Sequence, residues 1–222
     1  MKQLIIFSMM IFISLSVYAN DIYVNQSGAT LDLDITQDGQ NNTVGSSSTA
    51  SSVIGATTNL AITQIGDSNV MTFDVNGANY TGTFSVTGNS NNIDFNCDSG
   101  GSNSSCGTAT ASIVWVGSSN DIDIDIGETS SATSATVGIT GASGSDSNTI
   151  LGTIDGNSAI LTLSVNGDTN NFLVDIDGNG DSVGHTYIHT HTGSIADVDI
   201  TQSGVYDNMI TLTTSGDNAD ID

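Results

Sequence analysis

Three groups of side chains in this sequence have types and spacings that could do chemistry. Asp175-x-Asp177-x-Asn179-Gly180-Asp181 has the spacing that opens an EF-hand-type calcium loop. The twelfth position of such a loop falls on Thr186, so the bidentate glutamate is missing and any calcium binding would be weak. His185, Tyr187, His189 and His191 share one parity, which on a strand puts them on one face. His189 and His191, helped by His185 or an aspartate, could ligate zinc or copper. The sequence favours a plainer reading, a polar stripe of Thr and His on an exposed loop strand. The neighbouring threonines raise an ice-binding or adhesive face, but a flat, repeated Thr-x-Thr array is not expected to be sustained over coils. Cys97 and Cys106 are the only cysteines. In an exported chain they predict a disulfide closing the Gly/Ser-rich stretch between them, and neither CxxC spacing nor a basic neighbour suggests redox or metal work.

No catalytic constellation accompanies these groups. There is no nucleophile elbow, and Lys2 is the single basic residue against 24 acids, a formal net charge of −23. With nothing to neutralise phosphate, nucleic-acid binding is excluded, and an anionic membrane surface is disfavoured. The acids alternate with apolar residues instead of converging in an apolar pocket that would raise a pKa for acid–base catalysis. The chain reads as a non-enzyme with no resident cofactor. Residues 1–19 read as a secretory signal peptide, with Lys2 as the positive start, Leu4–Ser16 as the apolar stretch and Val17-Tyr18-Ala19 as the cleavage site. No later segment is apolar and long enough to span a bilayer. The expected protein is exported and not inserted in a membrane.

The elements that would position these residues are short strands. Leu31-Asp32-Leu33-Asp34-Ile35 and Ile122-Asp123-Ile124-Asp125-Ile126 alternate strictly, as do Phe73-Asp74-Val75 and Val174-Asp175-Ile176-Asp177. Period two over such runs signals a half-buried strand, apolar side in and aspartates to water. Proline, which would remove a ladder donor, is absent altogether. Glycines return every eleven residues, at 28→39, 55→66→77→88 and 156→167→178. Many open the phrase Gly-x-x-Asn, at Gly39/Asn42, Gly66/Asn69, Gly88/Asn91, Gly117/Asn120 and Gly167/Asn170, and the first two are preceded by Gln37 and Gln64. Parity carries through that turn: Leu60, Ile62 and Gln64 lead to Asn69, Met71, Phe73 and Val75 on the same side. Strand, turn, strand, turn in about 22 residues makes one coil of a β-solenoid. At the turn, stacked Gln and Asn could bond in ladders or satisfy only their own turns. The fold expected is all-β, one solenoid domain over 20–222 of roughly eight coils with open ends, looping out near 45–58, 98–111, 128–145 and 179–195.

The phrase Gln-x-Gly-x-x-Asn in a 22-residue strand-turn-strand unit resembles the curlin repeat of curli fibre subunits. Leu33, Ile35, Gln37, Gly39 and Asn42 fit that repeat, as do Leu60, Ile62, Gln64, Gly66 and Asn69. Val198, Ile200, Gln202 and Gly204 fit in part, with Asn208 one residue late. The units around Gly88, Gly117 and Gly167 carry Val86, Trp115 and Val165 at the glutamine position. The family's alanine two residues after Asn is Val44, Met71, Ile93, Ile122 or Phe172 here, and its closing glutamine is missing, with Val75 and Ile176 at two such places. These departures predict a fatter, more apolar core with fewer ladders. The resemblance implies a subunit that leaves through a curli-like secretion pore. It would then stack on itself or a related subunit into an extracellular amyloid fibre for surface adhesion and biofilm.

Elementary physics points the same way. Natural solenoids block their end strands with Lys, Pro or a capping element, and this sequence offers none after Lys2. Its last residues, Gly216 to Asp222, are still in the repeat pattern. Matching open ends predict head-to-tail, non-closing association. Carboxylates stacked at ~4.8 Å oppose this by about 1 kcal/mol each in water, too little to forbid it, so the aspartates would act as gatekeepers during export. The alternative class is a monomeric solenoid adhesin or a calcium-dependent glycan binder.

Overall fold

The structure is a computed structural model, and it describes residues 21–39, 42–45, 50–98, 106–127, 134–178 and 184–222. The expected signal peptide lies outside these residues. All of the regular elements among the described residues are strands. In chain order they are β1 (Asp21–Ile22), β2 (Asn25–Asp38), β3 (Thr43–Val44), β4 (Ser51–Ile65), β5 (Val70–Thr87), β6 (Asn92–Cys97), β7 (Cys106–Val116) and β8 (Asp121–Ile126). There follow β9 (Ser134–Gly141), β10 (Thr149–Asp155), β11 (Ala159–Asn166), β12 (Asn170–Asp177), β13 (Thr186–Thr192), β14 (Ala196–Gln202), β15 (Met209–Ser215) and β16 (Asp220–Ile221).

Every pairing is parallel, and alternate strands pair, which is the topology of a solenoid of about seven turns. Side one stacks β1 with the start of β2, β3 with the start of β4, the first part of β5, β6, β8, β10, β12, β14 and β16; side two stacks the rest of β2, β4 and β5, then β7, β9, β11, β13 and β15. The long strands β2, β4 and β5 bend through the arc and belong to both sides. The register climbs side one through Asp21, Thr43, Val70, Asn92, Asp121, Thr149, Asn171, Asp197 and Asp220. One turn therefore takes as few as 22 residues, as at Asn69–Asn91, and as many as 29, as at Asn91–Asn120.

The alternation read in the sequence has its cause in the core. Leu60, Ile62, Met71, Phe73 and Val75 are all buried, as are Ile122, Ile124 and Ile126, while the aspartates between them point outward. Fully burying such a side chain is worth about 1.5–3 kcal/mol, so each coil is held mainly by its apolar set. The two sides meet through that set: the ring of Tyr80 stacks on Phe95 at 4.8 Å between centroids, and Phe84 lies 5.7 Å from Phe95. The indole of Trp115 occupies so much of its layer that the residue stacked on it is Gly141, where a Cβ would strike the ring.

The irregular segments are shorter than the sequence suggests. Ser51–Ile65, Cys106–Val116, Ser134–Gly141 and Thr186–Thr192 are regular strands paired on both edges. Ser- and Thr-rich composition disguised them, because one polar set faces water and small residues fill the inner positions. Extra length falls mainly on the arc from side one to side two, after Cys97, Gly127 and Gly178. One further insertion separates Val44 from Ser51 within side one.

Candidate functional site: laddered corner, buried histidines and strand edges

The corner from side two to side one is built the same way in successive coils. A glycine with φ near +140° (Gly66 141°, Gly88 137°, Gly117 135°) is followed two residues later by a left-handed Ser (Ser68 62°, Ser90 57°, Ser119 58°) and then by Asn; Ser147 (56°) and Thr169 (58°) hold the same left-handed place in the coils of Ser145 and Gly167. Glycine is required because a Cβ on Gly88 would run into the Gly66 carbonyl, and one on Gly117 into that of Gly88. The backbone stays laddered round the corner, with Gly66 N–H donating to Thr87 O and Ser68 N–H to Asn89 O, both at 2.9 Å.

The asparagines form a continuous inner ladder. The N–H of Asn42 donates to Oδ1 of Asn69 at 2.7 Å, Asn69 to Asn91 at 2.8 Å, Asn91 to Asn120 at 2.9 Å, Asn120 to Asn148 at 2.9 Å and Asn148 to Asn170 at 3.0 Å. Side-chain hydrogen bonds also join them, with Nδ2 of Asn120 donating to Oδ1 of Asn148 at 3.2 Å and Nδ2 of Asn148 to Oδ1 of Asn170 at 3.0 Å. The same side chains also cap their own turn, since Nδ2 of Asn69 and of Asn170 donates to Gly66 O and Gly167 O at 2.9 Å. Ladder and local turn-former, alternatives in the sequence, coexist in one residue. A second, exposed ladder runs outside it: Asn89 N–H donates to Asp67, Ser118 to Asn89 and Asp168 to Asp146 at 2.6–2.8 Å.

Glutamine contributes one step only. Nε2 of Gln64 donates to Oε1 of Gln37 at 2.8 Å, after which the column continues through Val86, Trp115, Gly141, Val165 and His191. Gln202 and Gly204 do not belong to this corner. Gln202 stacks on Ile176 at the end of side one, in the column of Val75 and Cys97, and Gly204 lies over Gly178. Gln202 is thus at the place where the closing glutamine was read as missing throughout, and the partial fit of 198–204 to the Gln-x-Gly phrase was one half-coil out of phase. Asn148 was not legible because Ser145 stands where its coil would carry glycine. The Ser/Thr-Asn pair at 68–69, 90–91, 119–120, 147–148 and 169–170 marks the corner better than glycine does.

The histidines are not on an exposed strand. His185, His189 and His191 are buried with Tyr187, because β13 stacks them on the apolar residues of β11: Tyr187 on Leu161, His189 on Leu163, His191 on Val165. His191 Nε2 lies 2.8 Å from Gly167 O, where the asparagine ladder ends and Asn170 gives way to Ala196. His189 Nδ1 and the Tyr187 hydroxyl are 2.9 Å apart, and the Phe172 ring meets the His189 ring edge-on at 4.5 Å. Burial, and secondarily the neighbouring His191, lowers the His189 pKa to about 4, so this ring is neutral at pH 7. Asp175 and Asp177 are exposed on the outer surface of β12, and Asn179 and Asp181 lie outside the described residues. Asp177 accepts from Ser203 Oγ and from Gly178 N–H, and these bonds, the serine's first, hold its carboxyl below the usual range. Among the described residues no three His, Cys, Asp or Glu side chains converge to hold a metal ion. Cys97 and Cys106 form the expected disulfide, buried at the mouth of the longest arc with Cα atoms 5.6 Å apart.

Two strand edges complete the site. Among the described residues, β2 pairs only with β4 and β15 only with β13. Following the columns from end to end, Ile210 of β15 is in line with Leu33 of β2, Leu212 with Ile35 and Thr214 with Gln37. On side one, Ile221 is in line with Ile22. The fold and corner together define a parallel, two-sided β-solenoid with an asparagine-laddered turn. Compared with family models, curated proteins and solved structures, the chain matches none.

Proposed function

We propose that this chain is an exported structural subunit that assembles end to end into a curli-like extracellular fibre, serving surface adhesion and biofilm matrix. The observation that carries this reading is the match between the two ends. Placing β15 of one copy against β2 of the next sets Ile210, Leu212 and Thr214 over Leu33, Ile35 and Gln37, and the outward Asp32, Asp34 and Asp38 over the uncharged Met209, Thr211 and Ser215. Such a junction extends the backbone ladder, buries half-exposed apolar residues and brings no carboxylates together on side two. Its two surfaces differ, so association propagates instead of closing. The curlin-like corner at Gln37–Asn42 and Gln64–Asn69, and the leader read at 1–19, support delivery by a curli-like pore.

Negative-stain imaging and fibre diffraction of the mature chain test the reading. Fibres with a reflection at ~4.7–4.8 Å along the axis are expected. Leu212→Pro, which removes a donor on the outer strand and an apolar contact, should abolish elongation while leaving a folded monomer. Persistent wild-type monomers at high concentration, above all monomers that capture a glycan or calcium, would instead support the adhesin class.

A further inference from the structure

The geometry points to the outer surface of side two as a lateral pairing surface for a second copy of this chain, distinct from the end-to-end junction and independent of it. From β4 to β15 the side-two strands contain no aspartate or glutamate: 57–65, 79–87, 106–116, 134–141, 159–166, 186–192 and 209–215 are acid-free. The acids are segregated to side one, to the corners and to the first side-two strand, β2. Between β5 and β15 the outward residues of side two are mostly Thr, Ser, Val and Ile in columns, one of which runs Ser85, Val114, Thr140, Ser164, Thr190, Thr213. Contrary to the expectation from the sequence, a Thr-rich array is therefore sustained over coils. It was hidden because coils of unequal length spoil the period without disturbing the stacking.

This surface suits a copy of itself. Its side chains are short and mainly β-branched, and Val114 (40% exposed), Val116 and Ile160 add apolar area that no described residue covers. In-register rungs of such residues interdigitate as a dry zipper when two sheets meet. Seven rungs at ~4.8 Å by about seven residues at ~3.3 Å give roughly 800 Å² per copy, the size of a standard stable interface for one partner. Charge selects the pairing mode. A copy carrying −23 meets another least unfavourably when both acidic sides lie outermost, and the part of side two from β4 to β15, with β2 left outside the contact, is the broad surface that buries no carboxylates. The residues on this surface include no aromatic ring for a sugar to stack on, since Tyr80, Phe84 and Trp115 all point inward.

Sedimentation velocity on the full mature chain carrying the elongation block Leu212→Pro isolates this contact from end stacking. A concentration-dependent dimer is expected. Thr140→Asp with Ser164→Asp, register partners on side two, should weaken it at least tenfold. Thr149→Asp with Asn171→Asp, register partners on side one that add the same charge, should change it little. Because an acidic pair could disturb the sheet, Thr140→Cys gives a second readout, an intermolecular disulfide that forms rapidly in the dimer. A blocked chain that stays monomeric, equal effects of the two acidic pairs, or a monomer whose side two shapes ice growth or adheres to polysaccharide would each overturn the pairing. If wild-type chains form no fibres yet the blocked chain dimerises, only the end-to-end reading fails.

Discussion

The solenoid turns twice per coil, and the two turns are built to different rules. At the laddered corner, Gly66–Asn69, Gly88–Asn91, Gly117–Asn120, Ser145–Asn148 and Gly167–Asn170 are the same four residues long. The one insertion nearby, the two residues Ser143 and Gly144, is placed before Ser145 and leaves the four-residue unit whole. The opposite arc is short at Gly156–Ser158 and long after Cys97, where a disulfide spans it. The difference follows from what each turn contacts. Corner side chains bond the coils before and after them, so a change of length breaks two ladders at once. Among the described residues the arc carries only a short ladder of this kind, in which Ala159 N–H donates to His185 Nδ1 at 3.2 Å and His185 N–H to Asn208 Oδ1 at 2.9 Å; length added before Ala159 leaves that ladder whole and costs little more than loop entropy.

The sharpest way to break this comparison is insertion. Four Gly/Ser residues between Gly88 and Asn91 should abolish the cooperative fold, whereas the same four between Gly156 and Ser158 should cost under about 1 kcal/mol in chemical denaturation. Acid probes the end of the ladder next. The His189 pKa lies at about 4 folded, below its ordinary 6.5. Its contribution to stability is therefore complete above pH 6.5, falls as the unfolded chain takes up the proton below that, and levels off near pH 4. The loss should reach roughly 3 kcal/mol and vanish in His189→Leu. At the long arc, replacing Cys97 and Cys106 by serine should cost about 2–3 kcal/mol in non-reducing denaturation, the entropy of an opened loop. Asn148→Ala should cost about 1–3 kcal/mol, because it strips Oδ1 from the buried N–H of Asn120. Asp67→Ala, on the exposed outer ladder, should stay within about 0.5 kcal/mol. Equal effects for Asn148 and Asp67 would remove the distinction between the inner and outer ladders.

Much of this architecture could be read before any coordinates. Alternation around Leu60–Val75 gave strands and their inner face, and Asn42, Asn69, Asn91, Asn120 and Asn170 were identified as one set. Parity, however, separates only two faces; it does not name the inner one when both are polar. In 185–192 one set is His185, Tyr187, His189, His191 and the other Thr186, Ile188, Thr190, Thr192. The stacking of β13 on Leu161, Leu163 and Val165 decided between them. Gln202 was misassigned for a related reason, since its neighbours resemble the Gln-x-Gly phrase while the strand it ends belongs to side one.

By itself the sequence determined an all-β solenoid, the inner face of most strands, the corner that must repeat and the pair of cysteines that close an arc. Those are local properties, fixed by alternation, by glycine's access to positive φ and by the burial of apolar side chains. Only the tertiary structure decided which residues stack on which. It thereby showed the histidines at the end of the asparagine ladder, the matched edges Leu33–Gln37 and Ile210–Thr214, and the separation of an acidic side from a threonine-rich one. Parallel pairing joins residues 22 to 29 apart in the chain, and the arcs absorb that variation without moving the strands.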